Sequence, residues 1–162
     1  TFRLCEKKMQ KQNLNFDYDG RTFVGFNFAD LPLSAAQLVA AQQIDQSADK
    51  ARSAVLGDPL RAVEYRLTAD EAERFAAAAY DGPVPATVQA WMDAAELEAK
   101  AATDNILAEA HAWRAAIYAI RAARLKGKQR VLKAQTHDAA EALADEAINA
   151  IRESVQGVGN VA

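Results

Sequence analysis

The residue types that most often do chemistry in proteins are few in this chain and lie far apart. Its two histidines, His111 and His137, are separated by 26 positions. His111 has no acidic residue three or four positions away, and His137 has only Glu141 one helical turn later. A metal site needs three or four converging ligands, and neither spacing supplies them. We therefore expect neither histidine to bind a metal or to act in catalysis.

The remaining candidates for catalysis have simpler explanations. Cys5 is the only cysteine, and no base or orienting group near it in the sequence would activate a nucleophile. Asp70, Glu71 and Glu73 stand at a predicted helix start, where the helix dipole favours negative charge. The seven glycines form no phosphate-binding loop. We predict a protein with no catalytic activity, no cofactor and no bound metal.

Charge is divided into blocks along the second half of the chain. Residues 64–109 hold 3 basic and 10 acidic residues, residues 110–135 hold 7 basic and none acidic, and residues 136–162 hold 1 and 5. Such blocks favour helices that pair within or between subunits. The basic block could also bind nucleic acid, although the overall net charge of −3 opposes this. The predicted charged contact face comprises Arg114, Arg121, Arg124 and Lys128.

The composition indicates a helical protein with few large core residues. The 162 residues fit one domain, and the small Thr1 could follow a removed initiator methionine, so we expect the chain to be nearly whole. Hydrophobic types make up 51% of the chain, but 38 of its residues are alanine. Alanine favours helices and buries little surface. No apolar run approaches the roughly 20 residues of a membrane span, and no signal-peptide core is visible.

An aromatic β-hairpin is predicted near the N-terminus. Residues 1–14 are polar, and we expect either an arm that becomes ordered on a partner or a short edge strand. Asp19-Gly20 then separates two runs of strand-forming residues, which is a strong signal for a tight turn. An isolated hairpin is marginal in water, so its aromatic face must pack on the chain's own helices or on another subunit. The predicted partner-binding residues are Phe16, Tyr18, Phe23, Phe26 and Phe28.

Helix signals fill the rest of the chain. Ser34 and Gln37 have capping-box spacing and predict a helix that ends near Gly57. Alternation over residues 63–67 predicts a short strand or an extended connector. Thr68 and Glu71 form a second capping box, which predicts a helix to about residue 80. A Gly-Pro break at residues 82–83 then precedes a helix that contains Trp91.

The longest periodic stretch begins at Ile106 and steps by four and three residues to Ile120. Gly127 lies beyond it and predicts a bend, and Thr136 can cap the last helix. Residues predicted to pair helices are Ile106, Trp113, Ile117, Ile120, Ile148 and Ile151. The predicted fold is mainly α, with an N-terminal extended or hairpin segment followed by a bundle of four to five helices, some long and paired. Its predicted regions are a docking arm and hairpin (1–33), a helical region (34–135) and an acidic helix and tail (136–162).

Two groups of short motifs carry a resemblance to a known family. The first is the run Phe16-Asp17-Tyr18-Asp19-Gly20-Arg21-Thr22-Phe23 before the helix at Ser34. The second is Phe75 to Tyr80 with Asp81-Gly82-Pro83-Val84-Pro85, then Trp91, Ile106-Leu107, Trp113, Ile120-Arg121 and Arg124-Leu125. Over about residues 15–133 the chain resembles tail-fibre-associated proteins of tailed bacteriophages. The resemblance implies a setting in a phage tail, fibre or baseplate and assigns no functional residue.

These observations predict a structural or adaptor protein of a phage tail near the tail fibre or baseplate. It would be assembled in the host cytoplasm, located in the virion tail, and would dock through the aromatic segment and paired helices. Its expected partners are tail-fibre or baseplate subunits and further copies of itself, with no membrane. One alternative is a tail-fibre assembly chaperone that is absent from the mature virion. A second is a nucleic-acid-binding helical protein that uses residues 114–133.

Overall fold

The structure is a computed structural model and describes residues 8–159. The chain forms a short antiparallel hairpin and a 3-10 turn, followed by five α-helices. The elements are β1 (Leu14–Tyr18), β2 (Arg21–Phe26), the 3-10 turn (Phe28–Asp30), α1 (Leu33–Leu56), α2 (Pro59–Ala77), α3 (Ala86–Ala95), α4 (Ala99–Val131) and α5 (His137–Glu153). The prediction of a mainly α protein with an N-terminal hairpin and a set of four to five helices is confirmed.

The chain divides into two compact units. Among the described residues, unit 1 comprises residues 8–52 and 117–156, and unit 2 comprises residues 53–116 and 157–159. Helices α1 and α4 therefore each contribute residues to both units. The described parts of two predicted regions, residues 8–33 and 136–156, belong together in unit 1, whereas residues 157–159 belong to unit 2.

The hairpin of unit 1 forms as predicted. Asp19 and Gly20 have φ of +49° and +69°, as a two-residue turn with the twist of the strands requires. Phe16 pairs with Phe23 across the strands. The pairing of β1 with β2 shifts in register between Leu14 and Phe16, as at a β-bulge. In this part of β2, Gly25 has φ +72°, and its N–H donates to the side-chain oxygen of Asn15 at 2.8 Å.

The N-terminal arm packs on the chain itself over its described part. The Met9 N–H donates to the carboxylate of Asp145 at 2.7 Å, and the Met9 side chain is buried. The Lys11 ammonium forms an ion pair with Glu141, also at 2.7 Å. Met9 and Lys11 of the arm therefore contact α5 of the same chain, while residues 1–7, including Cys5, lie outside the described residues.

The core of unit 1 is built from a few large side chains and many alanines. Ile44, Ile120 and Ile151 are among the largest fully buried side chains. Nine other buried members of this core are alanines. Small side chains let helix backbones approach closely, so each isoleucine accounts for a large share of the buried apolar surface.

Gly127 is buried inside α4 and marks a close helix contact. The helix continues through it to Val131. An added Cβ would overlap the Cβ of Ala147 on α5 and come within 3.3 Å of Cδ1 of Ile44 on α1. Gly127 therefore permits close packing of α4 against α5 and α1, and the predicted bend at this residue stays a prediction.

In unit 2, a single helix replaces a predicted connector. α2 runs without interruption from Pro59 to Ala77, so the strand or extended connector over residues 63–67 and the helix start at Thr68 are wrong. The carboxylate of Asp58 accepts from the N–H of Leu60 at 2.7 Å, and Pro59 occupies the first turn. Both are favourable at a helix start. Because α2 starts at Pro59, residues 63–67 are helical despite their alternating sequence pattern.

The other two predicted caps have different outcomes. Thr136 caps α5 as predicted, because its hydroxyl accepts from the N–H of Ala139 at 3.1 Å. The capping box at Ser34 is wrong. The amide of Gln37 donates to the carbonyl of Ala134 at 2.8 Å instead, and the Ser34 hydroxyl accepts from that of Tyr18, also at 2.8 Å. A tertiary contact has replaced the local one.

Candidate docking surfaces

Most of the aromatic rings of the hairpin pack against the core of unit 1. Phe28 is only 2% exposed and lies edge-on to His137, with ring centroids 5.9 Å apart. Its prediction as a partner-binding residue is wrong, because the ring belongs to the chain's own core. Phe16, Tyr18 and Phe23 are half-buried against the same core. Packing on the chain's own helices, one of the two alternatives, is therefore observed for most of this face.

One edge of the hairpin stays exposed. Phe26 lies edge-on to Phe23, with centroids 5.2 Å apart, and remains partly open to solvent beside the exposed Val24. These two side chains are the exposed large hydrophobic residues of the predicted docking segment. Their binding to a partner stays a prediction.

The residues predicted to pair helices fall into both units. Ile120, Ile148 and Ile151 are buried together in the core of unit 1, so they pair helices within the chain. Ile106 packs in the smaller cluster of unit 2, around Ala72, Val88 and Ala102. Ile117 and Trp113 are half-buried on α4.

The predicted charged face is largely engaged within the chain. Asp45 on α1 accepts from Arg124 at 2.9 Å and from Lys128 at 2.5 Å. Arg114 forms an ion pair with Glu73 at 2.6 Å. Arg121 is exposed and forms no ion pair with any residue in 8–159. Charge matching therefore operates inside each unit for three of the four residues.

The Asp45 cluster makes the stability of unit 1 depend on pH. Burial alone would raise the pKa of Asp45, but hydrogen bonds and charges from Lys128 and Arg124 together lower it below its ordinary 3.8. The stabilisation is therefore fully present above pH 3.8 and is lost as the pH falls through the lower folded pKa.

We expect Asp45→Asn to lower the free energy of unfolding by about 1–2 kcal/mol near neutral pH, because two partly buried cations lose their carboxylate. The difference between variant and wild type should shrink below pH 3.8. Urea unfolding at several pH values measures it. Asp49→Asn, on the exposed side of the same helix, should change the value by less than about 0.5 kcal/mol. A difference for Asp45→Asn that stays constant with pH would contradict this assignment.

An apolar groove lies in unit 2. It is a half-open groove of about 550 Å³, lined on its apolar side by Val55, Tyr65, Trp91, Ile106 and Trp113. The volume lies within the usual range for sites that bind small molecules or single anchoring side chains. Two tryptophans and a tyrosine in one groove supply a large apolar contact area.

Some of the polar groups that line the groove form hydrogen bonds within unit 2, and one does not. The indole N–H of Trp91 donates to the side-chain oxygen of Asn105 at 3.0 Å. The carboxylate of Glu109 accepts from the N–H of Gly159 at 3.1 Å. The indole nitrogen of Trp113 is buried and has no hydrogen-bond partner within residues 8–159. A buried N–H without a hydrogen-bond partner is unfavourable for folding, so this indole N–H destabilises the folded groove.

Asp104 is the centre of a small hydrogen-bonded cluster of ionisable side chains in unit 2. Asp104 accepts from Tyr80 at 2.6 Å and from Lys100 at 2.5 Å; Asp104 and Lys100 are exposed, and Tyr80 is half-buried. Hydrogen bonds from Lys100 and Tyr80 lower the pKa of Asp104, so this carboxylate stays ionised as an acceptor. Over residues 8–159, no group of three or more His, Cys, Asp or Glu side chains is placed to hold a metal ion.

The sequence predictions missed two features of unit 2. The groove brings together Trp91 and Trp113, which were assigned to different helices without being related to each other. Val63 and Leu67 were assigned to a short strand or connector and Leu60 to no element, although all three are exposed on α2. Asp58-Pro59 is the signal that could have placed these three on one helical face.

None of the helices in residues 8–159 combines the length and the apolar character that crossing a bilayer requires.

Comparison of the chain with protein-family models, with curated proteins and with solved structures finds no match.

Proposed function

We propose that this chain is a non-enzymatic structural or adaptor protein that works by binding other polypeptides. The proposed setting is a phage tail near the fibre or baseplate, and it rests on the resemblance of residues 15–133 to tail-fibre-associated proteins. The proposed partner is a tail-fibre or baseplate subunit. The tail of the virion is the proposed location, after assembly in the host cytoplasm.

The aromatic groove of unit 2 carries the docking part of the proposal. Its lining of Tyr65, Trp91 and Trp113 suits an apolar anchor side chain, since buried aromatic residues dominate the energetics of many protein interfaces. The exposed edge at Val24 and Phe26 offers a second contact on unit 1.

The net charge of unit 2 indicates which charges the partner segment should carry. Unit 2 holds five basic and eleven acidic residues, a net charge of −6. A segment with lysines or arginines beside its apolar anchor would be attracted to this unit and oriented by it. A partner segment with a net negative charge would be repelled.

A groove-filling substitution tests the proposal. Ala110 lines the groove on α4, whereas Ala112 is exposed on the same helix outside it. We expect Ala110→Phe to reduce capture of the partner about tenfold or more, because the new ring occupies the anchor's space. Ala112→Phe should capture as wild type does.

The measurement is affinity purification from phage-infected cells, with quantitative mass spectrometry of the captured proteins. Far-UV circular dichroism confirms that both variants are folded. Tail-fibre or baseplate subunits that are enriched with wild type and Ala112→Phe, and lost with Ala110→Phe, support the proposal. Identical captured proteins for all three chains, or the absence of any tail subunit, would overturn it.

A further inference from the structure

An exposed apolar stripe runs along the C-terminal half of α4 and onto Leu132, which directly follows the helix and whose N–H still donates to the carbonyl of Lys128 at 3.0 Å. Tyr118, Leu125 and Leu132 recur at seven-residue intervals and are 68%, 42% and 39% exposed. A seven-residue repeat keeps side chains on one helical face, as in helices that pair with another helix. We call these three residues the α4 stripe.

The borders of the α4 stripe are basic. Arg121 follows Tyr118 by three positions, and Lys126 and Lys133 directly follow Leu125 and Leu132. These three cations form no ion pair with any residue in 8–159. Their charges remain available to a partner.

A second exposed stripe lies on α2 in unit 2. Leu60, Val63 and Leu67 are spaced by three and four residues and are 75%, 65% and 53% exposed. They share one face, because the buried residues of α2, such as Ala69 and Ala72, point to the other side of the helix. We call them the α2 stripe.

The borders of the α2 stripe are mainly acidic. Glu64 follows Leu60 by four positions, and Asp70 and Glu71 follow Leu67 by three and four. Glu71 also accepts from the Thr87 hydroxyl at 2.6 Å. Three arginines also lie on α2: Arg61 and Arg66 are farther around the helix, and Arg74 follows Leu67 by seven positions on the same side as the stripe.

We propose that the α2 stripe of one copy of this chain packs against the α4 stripe of a second copy. Leu60 and Leu67 have the same seven-residue spacing as Leu125 and Leu132, about 10 Å along a helix, so the side chains can interdigitate. The bordering carboxylates of one copy then face the bordering cations of the other. The inference rests on the proposed function in that it names one of the polypeptides that this docking protein binds.

Contacts between like surfaces are disfavoured. Two α4 stripes would bring Arg121, Lys126 and Lys133 of both copies together, and two α2 stripes would bring carboxylates together. Over the described residues, unit 1 carries a net charge of +2 and unit 2 a net charge of −6. The contact therefore joins unlike surfaces, which closes into a small assembly or continues from copy to copy.

Two matched variants test this contact in the full chain. Leu60→Lys with Leu67→Lys disables the α2 stripe, and Leu125→Glu with Leu132→Glu disables the α4 stripe. Sedimentation velocity over a range of concentrations should show association of the wild type that weakens with added salt. Each variant alone should associate at least about tenfold more weakly.

An equimolar mixture of the two double variants tests most directly whether the α2 stripe binds the α4 stripe. Each retains the surface that the other has lost, so an equimolar mixture should form a complex with one copy of each. Leu38→Lys, at an exposed leucine of α1 outside both stripes, should associate as wild type does. Far-UV circular dichroism establishes that every variant is folded.

A wild type that stays monomeric at every concentration would overturn the inference, as would one disabled variant that still self-associates like the wild type. A mixture that does not recover, or an α4 face that binds a duplex oligonucleotide in preference to a second copy, would overturn it as well. The capture experiment with Ala110→Phe concerns the groove and does not depend on the α2 or α4 stripe. Failure of self-association can therefore be distinguished from failure of the proposed function.

Discussion

Ile44→Ala should lower the free energy of unfolding by about 2–5 kcal/mol. Ile44 is fully buried on α1 and lies beside the contact between Gly127 and Ala147. Because so many of its neighbours in the core are alanines, few side chains are long enough to refill the space, and the loss should fall toward the upper part of that range. Urea unfolding followed by circular dichroism measures it.

Leu38→Ala is the matched control, because Leu38 lies on the same helix with its side chain largely exposed. Its substitution should change the free energy of unfolding by no more than about 0.5 kcal/mol. Equal effects of the two substitutions would contradict the assignment of Ile44 to a tightly packed core.

Gly127→Ala should be destabilising by about 1–3 kcal/mol, although alanine is intrinsically the better helix former by about 1 kcal/mol. The added methyl group overlaps Ala147 on α5 and crowds Ile44 on α1, so one of the helices must shift. The loss of packing outweighs the gain in helix propensity. The thermal midpoint and urea unfolding both measure the outcome.

A second substitution identifies the cause. Ala147→Gly in the Gly127→Ala background removes the overlapping Cβ and should restore part of the lost stability. Ala122→Gly, at an exposed position of the same helix, should cost only the propensity difference of about 1 kcal/mol. Gly127→Ala that stabilises the protein would show that α4 and α5 do not approach closely at this residue.

Local signals predicted the elements best where turn or cap chemistry is strong. Asp19-Gly20 and Thr136 act as predicted, because each satisfies its geometry with neighbouring residues. Ser34 and Gln37 also have good cap spacing, yet Gln37 donates to Ala134, 97 residues away. A short motif cannot indicate that a distant carbonyl will compete for its donor.

The α2 helix shows why a short alternation is weak as a signal. Residues 63, 65 and 67 alternate with charged residues, which fits a strand over five positions. The same residues also belong to a helix that Asp58 and Pro59 start, and the 19-residue helix outweighs the five-residue pattern. Reading the start signal first would have placed Leu60, Val63 and Leu67 on one exposed face.

The candidate site was the least predictable part. The sequence assigned docking to the hairpin, because four of the six phenylalanines lie in residues 16–28. Aromatic density does not distinguish a ring in the chain's own core, such as Phe28, from one at a surface, such as Phe26. The groove depends on how Tyr65, Trp91 and Trp113 converge from three helices, which no single periodic pattern contains.

The most direct test of polypeptide binding is site-specific photo-crosslinking from the groove. A photoreactive phenylalanine analogue replaces Tyr65, which lines the groove and is accessible to solvent, and a control places it at Ala112 outside the groove. In phage-infected cells we expect peptides of a tail-fibre or baseplate subunit to be crosslinked at Tyr65 and not at Ala112. Crosslinks at Tyr65 that contain no polypeptide partner, or the same products at both positions, would contradict the account.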